Sequence, residues 1–454
     1  MASCSCPSSP SQHPSFQKNQ TSPIMAPKIS YHSSGSPPPF GCACGPIVLE
    51  EERKKYGLPR KSGLSIARTG VWESVRTFLE SDVWHFKNPA LSSDLEDPLL
   101  KDDLPFGQFM MGFDFHVAGE DAPPKLIEVN TNAGGLATVI SLGCCDEEKK
   151  FLQDAFSSAV KHEYQIATHY YSKRDSNNFW DKRGKDSPQA LVIVDTNAKQ
   201  QFLYSEMKLF AEFLSVEGIQ TFVVSPEELT YRKGEGLFYN ETQIDFVYNR
   251  LTDFRFEEQE HQALRQAAVD GRVVVSPHPA TYVRTADKRN LVTLSRFIHA
   301  KKEDQTKENA PFHLQNEKFE ETIQVLKTVV PQTWVLSEKP LEEWQKLRKK
   351  MVFKPVCGNG SKGVYRGDRM SNAKLKSLDP NTTIVQELCP PGIDEEDGTK
   401  WDFRVYSHAH KILGMATRHF QGQVMEMTHE KSGFRRALPA NATCLMDLEG
   451  NEGE

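Results

Sequence analysis

The chain has 454 residues, a net charge of −6 and an ordinary globular composition, too long for one core, so two to four structural units are expected. It shows no broad basic field of the kind that binds nucleic acid and no apolar run approaching the length of a membrane span. Nine scattered cysteines point to a reducing compartment with free thiols, so the expected location is cytoplasmic.

Residues 1–45 are rich in Ser and Pro, contain no Asp or Glu, and cannot bury a core. A disordered tail is expected there, with a plastid-type targeting peptide as the alternative. The pairs Cys4/Cys6 and Cys42/Cys44 lack a second Cys/His pair at finger spacing, so they are not read as a zinc site. Residues 46–105 read as short helices and loops, with helical spacing in "GVWESVRTFLES". "FMMGFDFHVAGEDAPPKLIEVN" reads as a hairpin around a Gly- and Pro-containing turn. A long helix with an acidic start follows in "DEEKKFLQDAFSSAVKHEYQIATHYY", then a polar linker. From 186 to about 280, "ALVIVDTN", "IQTFVVSPEEL", "GLFYNETQIDFVYNRL" and "RVVVSP" alternate with helical segments, which predicts a small parallel α/β domain. Beyond 284 come a helix in "TADKRNLVTLSRFI", strands in "VVPQTWVL" and "TTIVQELCPPG", and a strand–glycine loop–strand unit in "MVFKPVCGNGSKGVYRG". Two more strands in "KWDFRVYSHAHKILGMATRHF" and the segment "SGFRRAL" complete the ordered part, and residues 441–454 are expected to be loose.

Several of these stretches carry groups suited to chemistry. Lys354 ends a strand ahead of a loop with Gly358, Gly360, Ser361 and Gly363. Glycines let backbone N–H groups come close to a phosphate chain, and a nearby lysine offsets its charge. The strand that follows rules out both a Walker loop and a dinucleotide fingerprint. A flexible hairpin is the plainer reading of the same residues. The strand ending at Gln386, Glu387 and Leu388 breaks into Pro-Pro, which reads either as an ordinary strand end or as one that leaves backbone groups unpaired for an adenine edge. In "KWDFRVY", Lys400, Asp402 and Arg404 share one strand face by the period of two, either as a solvated edge or lining a nucleotide. Asp114 and Glu128 fall on adjacent hairpin strands, and Asn130 points the same way as Glu128. Two carboxylates and an amide oxygen form a hard site suited to Mg²⁺, the alternative being that Glu128 and Asn130 are only the solvent face of an edge strand.

Lys288 in "ADKRNL", then "VFKPVCGNGSKGV", "IVQEL", "KWDFRVY" and "GFDFHV…LIEVNTNAGG" resemble the landmarks of the ATP-grasp superfamily, spanning about 105 to 140 and 188 to 440. "KWDFRVY" is most similar to the tubulin–tyrosine ligase, ribosomal-protein S6 modification and glutathione synthase branches. "EVNTNAGG" looks like the terminal loop of D-alanine–D-alanine ligases. In that family the metal-binding hairpin comes last, whereas here it comes first. The resemblance therefore implies an α/β (α+β), circularly permuted ATP-grasp fold with a pre-ATP-grasp parallel α/β domain. The implied division is a tail at 1–45, a segment 46–185 carrying the permuted hairpin and the long helix, a pre-ATP-grasp domain 186–285, nucleotide-binding subdomains 286–440 and a second tail.

The resemblance also implies the chemistry. ATP would lie between two subdomains, on Lys288, Lys354, the 358–363 loop, Gln386 to Leu388, Lys400 and Asp402. Mg²⁺, or Mn²⁺ in its place, would be held by Asp114, Glu128 and Asn130. A substrate carboxylate would attack the γ-phosphate, and an amine or thiol would displace phosphate from the acyl phosphate. Catalysis would be positioning and charge stabilisation. Several such ligases carry an arginine two residues before the metal aspartate, and here that position is Gly112. Arg404, Arg418, Arg435 and Arg436 are the candidates for the missing charge, and "SGFRRAL" reads as a phosphate or acyl-phosphate clamp because arginine matches phosphate geometry bidentately. The expected activity is an ATP-dependent ligase forming C–N bonds between small-molecule or peptide carboxylates and amines. The alternatives are a kinase on the same fold and a nucleotide-binding protein without ligase activity. His116, His408, His410 and His419 read as structural, and Cys144 and Cys145 as buried thiols.

Overall fold

The computed structural model describes residues 60–67, 69–80, 96–119, 122–141, 146–175, 178–184, 186–306, 309–310, 319–358, 362–394, 397–409, 411–422, 425 and 432–439. Gly360, Ser361, His410, Cys144, Cys145 and both terminal tails, with their cysteine pairs, lie outside these residues.

Among the described residues the strands form four sheets. The largest runs β1 (Arg60–Ala67), β18 (Gly433–Pro439), β17 (Lys411–Phe420), β16 (Lys400–His408), β2 (Met111–His116), β3 (Lys125–Asn130), with β15 (Gly392–Ile393) beside β16. β1 is parallel to β18, and the other neighbours are antiparallel. One sheet thus combines strands from early and late in the chain. β1 corrects the reading of 46–105 as helices and loops. Its sequence, RKSGLSIA, is short and interrupted by glycine, and its partner lies at the far end of the described chain. The expected helix beside it forms over Thr69–Glu80, where Phe78 meets Phe113 and Phe115 edge-on from one face of the sheet.

The second sheet is parallel throughout, in the order β10 (Val274–Ser276), β9 (Phe246–Asn249), β4 (Ala190–Val194), β5 (Gln220–Val224). β4 reads ALVIV because both of its faces are buried. Strand order changes direction beside β4. The chain steps outward to β5, then returns to place β9 on the other side. Between them β6 (Leu229–Arg232), β7 (Gly236–Tyr239) and β8 (Thr242–Ile244) form a small antiparallel meander. The pair expected in "GLFYNETQIDFVYNRL" is therefore β7 and β8, after which the chain leaves the meander to make β9. The fourth sheet is antiparallel, in the order β11 (Thr333–Val335), β14 (Thr383–Glu387), β12 (Met351–Pro355), β13 (Tyr365–Arg366).

The helix Asp146–Ser172 ties the first two sheets together. Its Phe156 stacks on Phe210 of the helix Tyr204–Val216, with ring centroids 4.4 Å apart. Phe109, just ahead of β2, meets Tyr248 of β9 edge-on at 5.2 Å. This shared aromatic core fixes the β2–β3 hairpin against the parallel sheet. No helix among the described residues is long and apolar enough to cross a membrane.

Candidate functional site

The β2–β3 register answers why a carboxylate and an amide flank the "EVNTNAGG" loop. Asp114 lies directly across from Glu128, and Gly112 lies across from Asn130. Directly opposed residues share a face, so Asp114, Glu128 and Asn130 converge as expected from the alternation. Glu128 also meets a cation from outside the sheet. Its Oε1 is 3.4 Å from Lys288 Nζ, which donates to the Gly358 carbonyl at 3.1 Å. Lys354, on β12, donates to the Ile127 carbonyl at 2.6 Å and to Gln386 Oε1 at 2.8 Å. Both lysines are 8 % exposed. The β11–β14 sheet is thus joined to the edge strand β3 through two buried lysines. Burial, partly offset by Glu128 and reinforced by Lys288, pulls the Lys354 ammonium down to about 8.

Behind this junction lies a buried lattice of four charges. Arg404 donates Nε to Asp114 Oδ1 at 2.5 Å and Nη2 to Oδ2 at 2.6 Å. Arg418 grips Asp402 with Nε at 2.8 Å and Nη2 at 2.6 Å, and the same Nη2 reaches Asp114 Oδ2 at 2.7 Å. Cross-strand pairing sets this up, since Arg404 faces Asp114 across β16 and β2, and Asp402 faces Arg418 across β16 and β17. Burial would raise the Asp114 carboxyl, but the two guanidiniums outweigh it and hold it below the usual carboxylate range. Burial dominates at Asp402 and pushes it up despite Arg418. β16 is an interior strand, so Asp402 and Arg404 form no solvated edge.

The other arginines are elsewhere. Arg435 pairs with Asp394 at 3.2 Å, and Arg436 pairs with Glu148 at the start of the long helix. Each of these two arginines thus has a carboxylate partner that lies outside the four-charge lattice. Lys400 donates to the Gly422 carbonyl, whereas Asp402 and Arg404 pair with Arg418 and Asp114. The expectation of unpaired N–H groups at the end of β14 fails at two positions. Glu387 N–H donates to the Gln332 carbonyl at 3.0 Å and Leu388 N–H to the Lys350 carbonyl at 2.8 Å. The Cys389 carbonyl accepts from His116 Nδ1 at 2.6 Å, and burial keeps that imidazole neutral with its pKa pulled down to about 4. His408 meets His162, and His419 lies among Thr399, Thr417 and Asp394. Gly358 and Gly363 adopt φ values of +140° and +74°, which favour glycine.

Glu128 and Asn130 offer oxygen ligands on one face of β3, and Asp114 lies beside them, which suits a hard cation such as Mg²⁺. Among the described residues no three His, Cys, Asp or Glu side chains gather to hold a metal by themselves. The amide of Asn130 is therefore required, and its Nδ2 donates to Asp114 Oδ2 at 2.9 Å. The trio fits the ion on condition that Asp114 exchanges some of its present donors for it.

The two glycines of the loop have a packing reason. Gly135 has φ +107°, and a Cβ there would sit 2.5 Å from the Tyr406 hydroxyl and against the Phe434 ring. Its N–H donates to both oxygens of the buried Glu206, at 2.9 and 2.7 Å. The Gly134 carbonyl accepts from Tyr406 at 2.8 Å and from Arg404 Nη1 at 3.2 Å. Gly135→Ala is expected to lower unfolding free energy by about 2–4 kcal/mol, read as a lower urea midpoint, from overpacking plus a strained φ. A midpoint equal to that of the unaltered protein would disprove this account of the loop.

A second constellation, missed in the sequence, opens on the far side of the same loop. Asp195 follows β4 and Arg250 follows β9, at the carboxyl ends of the two strands between which strand order reverses. Open parallel sheets bind ligands in that crevice. Arg250 is 7 % exposed; Nη1 donates to the Tyr248 hydroxyl at 3.0 Å and to Asn132 Oδ1 at 3.5 Å. Its buried Nε has no hydrogen-bond partner, and the nearest Asp195 oxygen is 4.0 Å away. Burial pushes the Asp195 carboxyl up to about 6 despite Arg250. A buried guanidinium beside an underpaired carboxylate leaves bonding capacity for a ligand.

No family model matches the sequence, and no curated protein matches it either. Among solved structures, it is similar to a glutathione synthetase-like effector from Globodera pallida in apo form, at 13 % identity and a TM-score of 0.44, covering 87 % of this chain and 98 % of the other. It is also similar to a putative gamma-glutamylcysteine synthetase from Methylobacillus flagellatus, at 12 % identity and a TM-score of 0.44, covering 90 % and 87 %. A third likeness is to the ATP-grasp ligase PsnB complexed with a minimal precursor variant, Mg and ADP, at 15 % identity and a TM-score of 0.27, covering 54 % and 86 %.

Proposed function

We propose that the chain is an ATP- and Mg²⁺-dependent carboxylate–amine (or thiol) ligase on a circularly permuted ATP-grasp fold. The observation that carries this reading is the position of the Asn130–Gly135 loop. One of its ends belongs to the Glu128/Asn130/Lys288/Lys354 cluster, and Asn132, two residues on, contacts Arg250 of the second constellation. Two residues of chain span roughly 7 Å, so a phosphate on the lysines and an acid held by Arg250 would be close neighbours. A ligase that activates a carboxylate needs that juxtaposition.

Lys288 and Lys354 bind the nucleotide phosphates, and the 358–363 loop closes over them to exclude water. Gln386 is held by Lys354 at the nucleotide edge, with Glu387 and Leu388 offering main-chain groups other than their occupied N–H. Arg250 orients the acid substrate, and Asp195 faces a cationic group of the same ligand. A substrate carboxylate oxygen attacks the γ-phosphorus and ADP leaves. The amine nitrogen (or a thiolate) then attacks the acyl carbon, phosphate leaves, and the nitrogen loses a proton. Arg404 and Arg418 supply the positive charge that the family places at position 112. Mg²⁺, held by Glu128, Asn130 and Asp114, would offset charge on the transferred phosphoryl group. The parallel sheet within 186–285 would be the substrate-binding unit, and 286–440 with the β2–β3 hairpin the ATP-grasp core.

The test is phosphate release from ATP and Mg²⁺ by the full chain against pooled carboxylates and amines, with Glu128→Ala as control. Substrate-dependent release lost in the variant, with an amide or thioester product by mass spectrometry, is the expected result. A phosphate ester would show a kinase, and ATP binding without any release a non-catalytic binder. A pH dependence follows from Lys354. Protonated, it binds phosphate, and its free-enzyme pKa lies at about 8. kcat/KM for ATP should therefore fall as pH rises through that value, and Lys354→Arg should remove the fall. A wild-type profile flat to about pH 9.5 would remove Lys354 from this role.

A further inference from the structure

All the proposed metal ligands are already engaged by cations or by each other. The Asp114 carboxylate accepts four hydrogen bonds, from Arg404 Nε and Nη2, Arg418 Nη2 and Asn130 Nδ2. A carboxylate has about four lone-pair positions, so it is saturated. Glu128 lies against Lys288. The cations Lys288, Lys354, Arg404 and Arg418 surround the carboxylates Asp114, Glu128 and Asp402, with the buried Glu206 also in the field of Arg404. A bare divalent cation entering here would be repelled by all four of these cations in a buried setting, where charge interactions are strong. It would also have to displace charge-assisted hydrogen bonds, which are the strong kind. A polyphosphate faces the opposite balance, because every cation in the cluster attracts it.

Resting on the nucleotide-binding reading above, we propose that Arg404 and Arg418 latch Asp114 shut, so that nucleotide binds first and only then does the metal site open. Arg418 is built to act as the moving part. It holds Asp402 with two donors and Asp114 with one, so a phosphate oxygen can take its Nη2 from Asp114 while Asp402 still anchors the side chain. Arg404 keeps both of its bonds to Asp114 Oδ1 and Oδ2 and to the Gly134 carbonyl, and so preserves the carboxylate's position. Asn130 gives up its amide N–H to Asp114 only by rotating, which turns its oxygen toward the same space.

The experiment uses the full chain, Mn²⁺ as the probe and electron paramagnetic resonance to separate free, ADP-bound and protein-bound ion. Equilibrium dialysis follows ADP in parallel, with EDTA and with Mn²⁺. The expected result is ADP retained in EDTA, and protein-bound Mn²⁺ at least about tenfold tighter with ADP present than without it. Arg418→Gln should strengthen nucleotide-free Mn²⁺ binding at least tenfold, because it empties one position on Asp114. The wild-type titrations decide the matter even if that variant fails to fold. ADP retained together with equally tight Mn²⁺ binding in its absence overturns the latch and leaves the ligase reading standing. ADP retained only with Mn²⁺ present overturns the order of binding. Loss of ADP binding under both conditions takes down the nucleotide reading itself.

Discussion

Arg404→Met is expected to lower unfolding free energy by about 3–5 kcal/mol, because it strips a buried carboxylate of two of its four donors. Asp114 has no exposed surface, and Arg418 alone would remain to balance it while also serving Asp402. The Gly134 carbonyl would lose one of its two partners in the same step. Urea unfolding of the variant measures the effect, and a double variant with Asp114→Leu separates its causes. If most of the loss comes from an uncompensated charge, the second change should recover a substantial part, since apolar replacement of a whole buried pair is often close to neutral. Full additivity of the two single losses would show that Arg404 acts through packing alone. Phosphate release should be lost in Arg404→Met even under conditions where the protein remains folded.

Which residues share a face in this site is legible in the sequence, and the reason is local. Asp114 and Glu128 lie on adjacent strands of one hairpin with Asn130 two residues on, so their shared face follows from period two and from the hairpin pairing, which shifts register only between Asp114 and Phe115. Asp402 and Arg404 follow in the same way from β16. What alternation cannot supply is a partner from another part of the chain. The bidentate match of arginine to phosphate makes Arg435 and Arg436 read as a clamp, and nothing local shows that Asp394 and Glu148 pair with them in the fold. The end of β14 looked open because Pro-Pro follows, yet Gln332 and Lys350 supply carbonyls from neighbouring segments. β1 was missed for the same reason. Its pairing with β18 joins distant parts of the chain, and its own pattern is weak. The packing role of Gly134 and Gly135 is not legible in the sequence, because the groups they approach closely, Leu203, Tyr406 and Phe434, come from distant parts of the chain.

Arg250→Gln should reduce phosphate release at subsaturating acid substrate by about 10²–10³-fold, the loss typical of removing a buried, charge-assisted contact to a carboxylate. The effect should fall on kcat/KM for the acid and leave ATP binding unchanged, because Lys288 and Lys354 lie on the other side of the Asn130–Gly135 loop. Arg250 was the residue least marked in the sequence, a single arginine at the end of "IDFVYNR". Its signal is topological. It and Asp195 end the two strands flanking the reversal of strand order, a placement visible only once the order β10–β9–β4–β5 is known. The structure also accounts for why it stays underpaired. Asp195 stops 4.0 Å short of Nε, and Gly134, with no side chain, leaves Nη2 facing bare backbone. A purely structural arginine would instead be closed off by its neighbours, as Arg404 is. Asp195→Asn distinguishes the two roles. As a ligand group, Asp195 should matter for binding an ammonium-bearing substrate, and its loss should raise KM. As a mere counter-ion, its loss should alter stability alone. Its carboxyl, pushed up to about 6, keeps a proton in the folded state between about pH 4 and 6 that the unfolded chain has released. Its contribution to stability therefore declines as pH rises through that window, and the variant should show a flatter profile there.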